Sequence, residues 1–174
     1  MDRKAPPSFE LRNAGIGPDP LSLEQTQEMV DFAIVLLLRD YHCPKCRAQV
    51  QRVAEKAETV QRRDTAVLPI LPDSYEKAQD WQEMYDLPFA LLADPGGEVG
   101  ADYDQTRRFG VFGKVHDLIG RMPKAVVLDL RRDPVLVDGY DGSTPGDRPS
   151  IESLLEGVDE LREEFVFDCD LVEC

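Results

Sequence analysis

The chain has 174 residues, enough for one compact domain with a sizeable core. Its 34 acids against 20 bases leave a net charge of -14, which excludes nucleic acid and anionic membrane as partners, because both are held by clustered Lys and Arg. The 4 cysteines are too few for a disulfide scaffold at this length, so a close pair among them reads as catalytic or metal-binding.

Residues 1–20 hold Pro6, Pro7, Gly15, Gly17, Pro18 and Pro20, a pattern too broken for a long helix. They are expected to run as an extended lead-in in which Ser8, Phe9, Glu10 and Leu11 pair as an edge strand. Residues 22–31 are polar and helix-permissive. The unbroken apolar run 32–38 reads as a strand buried on both faces, of the kind found in the centre of a sheet covered by helices. Beyond Cys43-Pro44-Lys45-Cys46, the residues Val50, Val53, Ala54, Ala57 and Val60 recur at spacings of three and four, which predicts an amphipathic helix.

Residues 66–71 predict a second strand in spite of Pro69, and Pro72-Asp73-Ser74 supplies turn and N-cap chemistry for a helix through Tyr85 with Trp81 in its apolar stripe. Residues 87–92 form a third apolar run, stopped by Asp94-Pro95-Gly96-Gly97, and residues 98–103 allow a brief helix. The strip 104–120 mixes aromatics and glycines with Arg107, Arg108, Lys114 and His116 and reads as an irregular insertion; the two arginines are expected to make surface ion pairs. Residues 125–130 and 135–140 predict an antiparallel hairpin, with Asp129 used in its turn. A loop rich in Gly, Pro and Asp leads to Ser150, the expected N-cap of a last helix striped by Ile151, Leu154, Leu155, Val158, Leu161 and Phe165. The acidic tail 166–174 carries Cys169 and Cys174.

Cys43 and Cys46 stand where a buried strand turns into a helix. Unpaired N–H groups and the positive end of the helix dipole favour a thiolate there, the reactive form of cysteine. Pro44 and Lys45 make the motif polar and turn-like, unlike an inert buried pair. Two alternatives stay open: half of a zinc site completed by Cys169 and Cys174, and relay of a disulfide to those tail thiols. His42 and Lys45 could each supply a nearby positive charge or be plain surface residues.

A strand, a CxxC corner, a long helix, a second βα unit and a late hairpin closed by a helix together resemble the thioredoxin fold, an α/β fold with a central mixed β-sheet flanked by helices. The segments around Pro72-Asp73-Ser74, Trp81 and Tyr85 through Val99, with Tyr103, resemble the peroxiredoxin family, also called the alkyl hydroperoxide reductase and thiol-specific antioxidant family. The resemblance covers about residues 8–161, within a single domain spanning 1–174. In that family the attacking cysteine lies in Pro-x-x-x-Thr-x-x-Cys; here Cys46 takes the cysteine position, Cys43 the threonine position and Arg39 the proline position. The resemblance implies Arg121 as the arginine that lowers the thiolate pKa. It also implies Pro123 as a counterpart of the cis-proline of thioredoxin-like proteins, which leaves the preceding backbone, here that of Met122, free to pair with an extended substrate.

The expected function is therefore thiol-dependent reduction of hydroperoxides or disulfides through a Cys43/Cys46 dithiol–disulfide cycle, without a cofactor or metal. Cys46 would attack peroxide and Cys43 resolve; in disulfide exchange the order reverses. An external thiol reductant such as a thioredoxin-like protein is the implied partner, and family members often pair as homodimers. The reading from another class is a non-enzymatic, zinc-stabilised binding protein. No basic and apolar leader opens the sequence and its longest apolar run is far too short for a bilayer, so a soluble, cytoplasmic protein is expected. Asp outnumbers Glu and Arg outnumbers Lys, a bias that suggests a surface adapted to high salt; an acidic surface that serves solubility alone is the alternative.

Overall fold

The structure is a computed structural model that describes residues 4–108 and 120–171, the side chains of 165–171 excepted. Lys114, His116 and Cys174 lie outside the described residues, as does the side chain of Cys169. Its elements are β1 (Glu10–Asn13), β2 (Leu21–Ser22), α1 (Leu23–Met29), β3 (Phe32–Leu37), α2 (Pro44–Glu55), α3 (Ala57–Gln61), β4 (Thr65–Leu71), α4 (Tyr75–Tyr85), β5 (Leu92–Ala93), α5 (Glu98–Asp102), β6 (Arg107–Arg108), β7 (Gly120–Arg121), β8 (Lys124–Asp129), β9 (Val135–Asp141) and α6 (Ile151–Leu171). A seven-stranded sheet runs β2-β1-β5-β4-β3-β8-β9. It is mixed: β3 is parallel to β4 and antiparallel to β8.

All six residues of β3 are buried because both faces of the sheet are covered. The period of two sends Phe32, Ile34 and Leu36 to one face, against Val50 and Val53 of α2, Trp81 of α4 and Leu154, Leu155 and Val158 of α6. Ala33, Val35 and Leu37 go to the other, against Phe9, Leu21, Val99 and Tyr103. Pro69 is tolerated because the parallel ladder alternates. Phe32 N donates to Asp64 O and Leu38 N to Ile70 O, so the even-numbered residues of β4 bond β3, and the missing N–H of Pro69 falls on the opposite side.

Several expectations change in detail. The helix after Cys46 breaks into α2 and α3 at Lys56, whose φ of -107° and ψ of 9° leave the helical ladder, although the stripe continues to buried Val60. Of the third apolar run only Leu92 joins a strand. Residues 89 and 91 bond instead to the lead-in, Ile16 N to Phe89 O at 3.0 Å and Ala14 N to Leu91 O at 2.9 Å. Gly15 permits that approach, because a Cβ there would collide with the Phe89 carbonyl. The insertion contains the β6–β7 ladder, and α6 continues to Leu171 through what was expected to be a tail. Among the described residues no helix is long and apolar enough to cross a membrane.

Gln105 ties the end of β3 to the start of β8. Its buried Nε2 donates to Leu37 O and Leu38 O at 3.1 Å and to Met122 O at 2.8 Å. Gly100 makes room for it, since a Cβ there would lie 2.5 Å from Gln105 Oε1. Gln105→Leu fills the same volume but leaves buried carbonyls without a donor, and is expected to destabilise the fold by about 1–3 kcal/mol in urea unfolding.

Candidate active site

The site lies where β3 hands over to α2. Asp40 closes a tight turn by accepting from His42 N at 2.8 Å, and Tyr41 N donates to Asp73 Oδ2 at 2.8 Å, which pins the loop to the turn before α4. Cys43 is the N-cap of α2, with Pro44 in the first turn. Its Sγ takes the place of a serine or threonine oxygen and accepts from Cys46 N at 3.2 Å. Cys46 then falls one turn into the helix and points inward. The two cysteines are 4% and 0% exposed, and they approach to 2.6 Å as free thiols.

One guanidinium reaches both sulfurs. Arg148 Nη2 lies 3.0 Å from Cys46 Sγ and 3.3 Å from Cys43 Sγ. Gln49 Oε1 accepts from Arg148 Nε at 3.1 Å and Pro145 O from Nη1 at 2.7 Å, so the side chain is fixed from α2 and from its own loop. That loop is latched in turn. Asp147 accepts from Ser143 N at 2.8 Å, from Ser143 Oγ at 2.7 Å and from the hydroxyl of Tyr140.

The thiols are electrostatically unequal. The Cys46 thiol donates to Cys43, the α2 N–H of Cys46 points at the same sulfur, and Arg148 adds positive charge; together they bring the Cys43 thiol down to about 6 against the opposing effect of burial. Burial pushes Cys46 up, and its neighbour Cys43 pushes it further. The two sulfurs are thus shifted in opposite directions, Cys43 toward the thiolate and Cys46 toward the thiol.

Arg121 makes no hydrogen bond to either sulfur among the described residues. Its carbonyl accepts from Arg39 Nε at 2.7 Å, while its guanidinium lies against Gly97, where a Cβ would overlap Nη2. The arginine whose guanidinium is hydrogen-bonded to both sulfurs among the described residues is Arg148, which the sequence did not single out. Its only signal was an arginine in the Gly-, Pro- and Asp-rich loop before Ser150. The peptide bond before Pro123 is trans, since the cis bond among the described residues is Asp19–Pro20. The Met122 backbone is not free for an extended substrate: Met122 N donates to Thr106 O and Met122 O accepts from Gln105, both at 2.8 Å. Pro123 O accepts from Gly142 N at 2.8 Å and so anchors the start of the Arg148 loop.

His42 packs its ring edge-on to Tyr41 at 5.0 Å, and Trp81 is fully buried, as its stripe predicts. Asp129 serves its turn by accepting from Arg131 N at 3.2 Å. Arg107 makes no ion pair among the described residues, contrary to expectation, and its Nη2 comes to the same Gly97 as Arg121. No cluster of three or more His, Cys, Asp and Glu side chains suited to a metal occurs among the described residues.

The latch gives an expected outcome. Asp147→Ala frees the loop, so the Cys43 thiol pKa rises; Asp147→Asn keeps an acceptor and raises it less, as read from the pH dependence of alkylation. The Asp147 carboxyl is held down at about 2 by the Tyr140 hydroxyl and by Ser143. A depressed carboxyl stabilises the latch above its unfolded pKa and loses that effect as pH falls toward 2.

The AhpC/TSA family model matches residues 2–130. A search of curated proteins finds no match. Among solved structures, the chain is similar to a reduced 2-Cys peroxiredoxin of Plasmodium vivax, at TM-score 0.76 and 12% identity over 95% of this chain and 83% of that one. It is also similar to peroxidoxin BcpB of Mycobacterium tuberculosis, at 0.69 and 18% over 90% and 92%. Peroxiredoxin Q of Xanthomonas campestris matches at 0.70 and 12% over 90% and 91%. At these identities the likeness is one of fold, and the fold is thioredoxin-like, as the residue pattern implied.

Proposed function

The chain belongs to the AhpC/TSA family, and from that premise we propose that it is a thiol peroxidase in which Cys43 is the attacking thiolate and Cys46 resolves. The observation that carries this reading is the asymmetry of the dithiol under one guanidinium. Cys43 is lowered to about 6 at a helix N-cap, while buried Cys46 keeps its proton. The register of the family motif favours Cys46 as the attacker; the N-cap position and the electrostatics favour Cys43.

In the proposed cycle the Cys43 thiolate attacks the terminal peroxide oxygen. The O–O bond breaks, its electron pair leaves on the alkoxide, and a proton from solvent makes the alcohol. Cys43 is left as sulfenic acid. The Cys46 thiol then gives up its proton and attacks Cys43 sulfur, an S–S bond forms, and hydroxide leaves as water. The two sulfurs need little movement to join, since one guanidinium already hydrogen-bonds both and the two cysteines approach to 2.6 Å. Two electrons from an external dithiol, such as a thioredoxin-like protein, return the pair to thiols. Pairing of two chains belongs to the same reading.

Exchange with a protein disulfide would use the same Cys43 thiolate. The internal pairing of Met122 argues against a main-chain docking site for an extended substrate there. One equivalent of cumene hydroperoxide, followed by alkylation and peptide mass spectrometry, tests the proposal. A Cys43–Cys46 crosslink formed with stoichiometric peroxide loss is the expected result, and thiols unchanged after peroxide would end the reading.

A further inference from the structure

The β6–β7 ladder sets Arg107 directly opposite Arg121. Like charges in that relation destabilise a strand pair. Both side chains nevertheless run to one point: a Cβ on Gly97 would overlap Arg121 Nη2 and lie 3.0 Å from Arg107 Nη2. The Arg121 pKa is lowered, first by burial and then by Arg107.

Three carboxylates lie within electrostatic reach of Arg121, and each is committed elsewhere. Asp94 accepts from the N–H groups of Glu98, Val99 and Gly100 at 3.0 to 3.4 Å. Asp73 holds Tyr41 N and Lys77 Nζ, and Asp40 holds His42 N. Arg63, Lys77, Lys124 and Arg131 all make ion pairs, whereas Arg107 and Arg121 make none among the described residues. Arg39 links the backbone of β7 to the dithiol, its N–H donating to Cys46 Sγ at 3.4 Å and its Nε to the Arg121 carbonyl at 2.7 Å.

We propose that Arg107 and Arg121 form a carboxylate-binding subsite beside the dithiol, so that the preferred hydroperoxide is one that carries a carboxylate. The inference rests on the reading of Cys43 and Cys46 as a hydroperoxide-reducing pair. Guanidinium forks take a carboxylate through paired, charge-assisted hydrogen bonds. A bound anion also relieves the repulsion that the cross-strand register imposes. In a chain of net charge -14 the general field repels anions, so a local pair of cations decides whether an acidic substrate is accepted.

The test uses the reduced full chain and hexanoate, a redox-inert carboxylate, titrated by calorimetry with methyl hexanoate as the uncharged control. Hexanoate is expected to bind and the ester not to. Arg107→Gln should weaken hexanoate about tenfold, and Arg107→Lys, which keeps the charge but not the fork, should fall between. Acid and ester behaving alike, or hexanoate bound equally well by Arg107→Gln, overturns the subsite.

A second arm compares Cys43 oxidation by a fatty-acid hydroperoxide and by its methyl ester. The acid should react faster, and Arg107→Gln should shrink that advantage. Equal rates leave the peroxidase reading standing and overturn the substrate preference. A chain that reduces neither refutes the peroxidase reading, and the hexanoate titration then still decides the subsite.

Discussion

Cys43→Ser is expected to lower hydroperoxide-driven thiol oxidation by about a thousandfold or more, because a serine hydroxyl is a far weaker nucleophile and no other thiolate is held ready. Cys46→Ser should instead complete one fast turnover and stop at a sulfenic acid on Cys43, which a dimedone adduct would reveal. Its hydroxyl can still donate to Cys43 in place of the thiol. Cys46→Ala removes that donor and should raise the Cys43 pKa. In the wild type, the rate should climb with pH through about 6 and level off above it, since the thiolate reacts and its pKa is about 6. A first turnover that survives in Cys43→Ser and is lost in Cys46→Ser would restore Cys46 as the attacker.

The same asymmetry links stability to pH. Cys43 is depressed on folding, so its contribution is full above the unfolded thiol pKa of roughly 8.5 and is lost as pH falls through about 6. Cys46 is raised, so its contribution is full below that unfolded value and declines as pH rises above it. Between about 6 and roughly 8.5 the folded state should therefore gain stability with pH from this pair, and lose it at higher pH. Unfolding of wild type and Cys43→Ala across that range would isolate the effect.

Arg148→Gln should raise the Cys43 pKa by about one unit and slow peroxide reduction at neutral pH by about ten- to a hundredfold. Arg148 Nη2 is within 3.3 Å of both sulfurs. In the proposed cycle it therefore favours the attacking thiolate, and it favours the second thiolate when Cys46 loses its proton to resolve the sulfenic acid. Arg148→Lys should recover part of the loss, because an ammonium supplies charge without the fork that Gln49 and Pro145 hold in place. Stopped-flow rates over a pH series separate the two effects. A pKa unchanged in Arg148→Gln and raised in Arg121→Gln would return the role to the arginine that the family resemblance implied.

The dithiol was legible in the sequence because everything that defines it is local. A run of apolar residues makes the strand, and Cys43-Pro44-Lys45-Cys46 makes the corner. The spacing of three then places the second sulfur one turn inside the first. Trp81, the hairpin and the capped helices were legible for the same reason, their periodicity and turn chemistry being properties of a few neighbouring residues. The break at Lys56 was not, since no glycine or proline marks it. Nor was the pairing of residues 89 and 91 with the lead-in, which depends on Gly15 being brought across from another part of the chain.

The sequence by itself determined the strand, the helix and the cysteine pair between them, since short-range sterics and hydrogen bonding act on adjacent residues. Only the tertiary structure decided which guanidinium lies against that pair and that its two sulfurs are shifted in opposite directions. Arg148 stands 102 positions from Cys46 and reaches it because β8, β9 and a latched loop fold back over α2. Electrostatic tuning acts through space at a few ångströms, and separation along the chain carries almost no information about that distance.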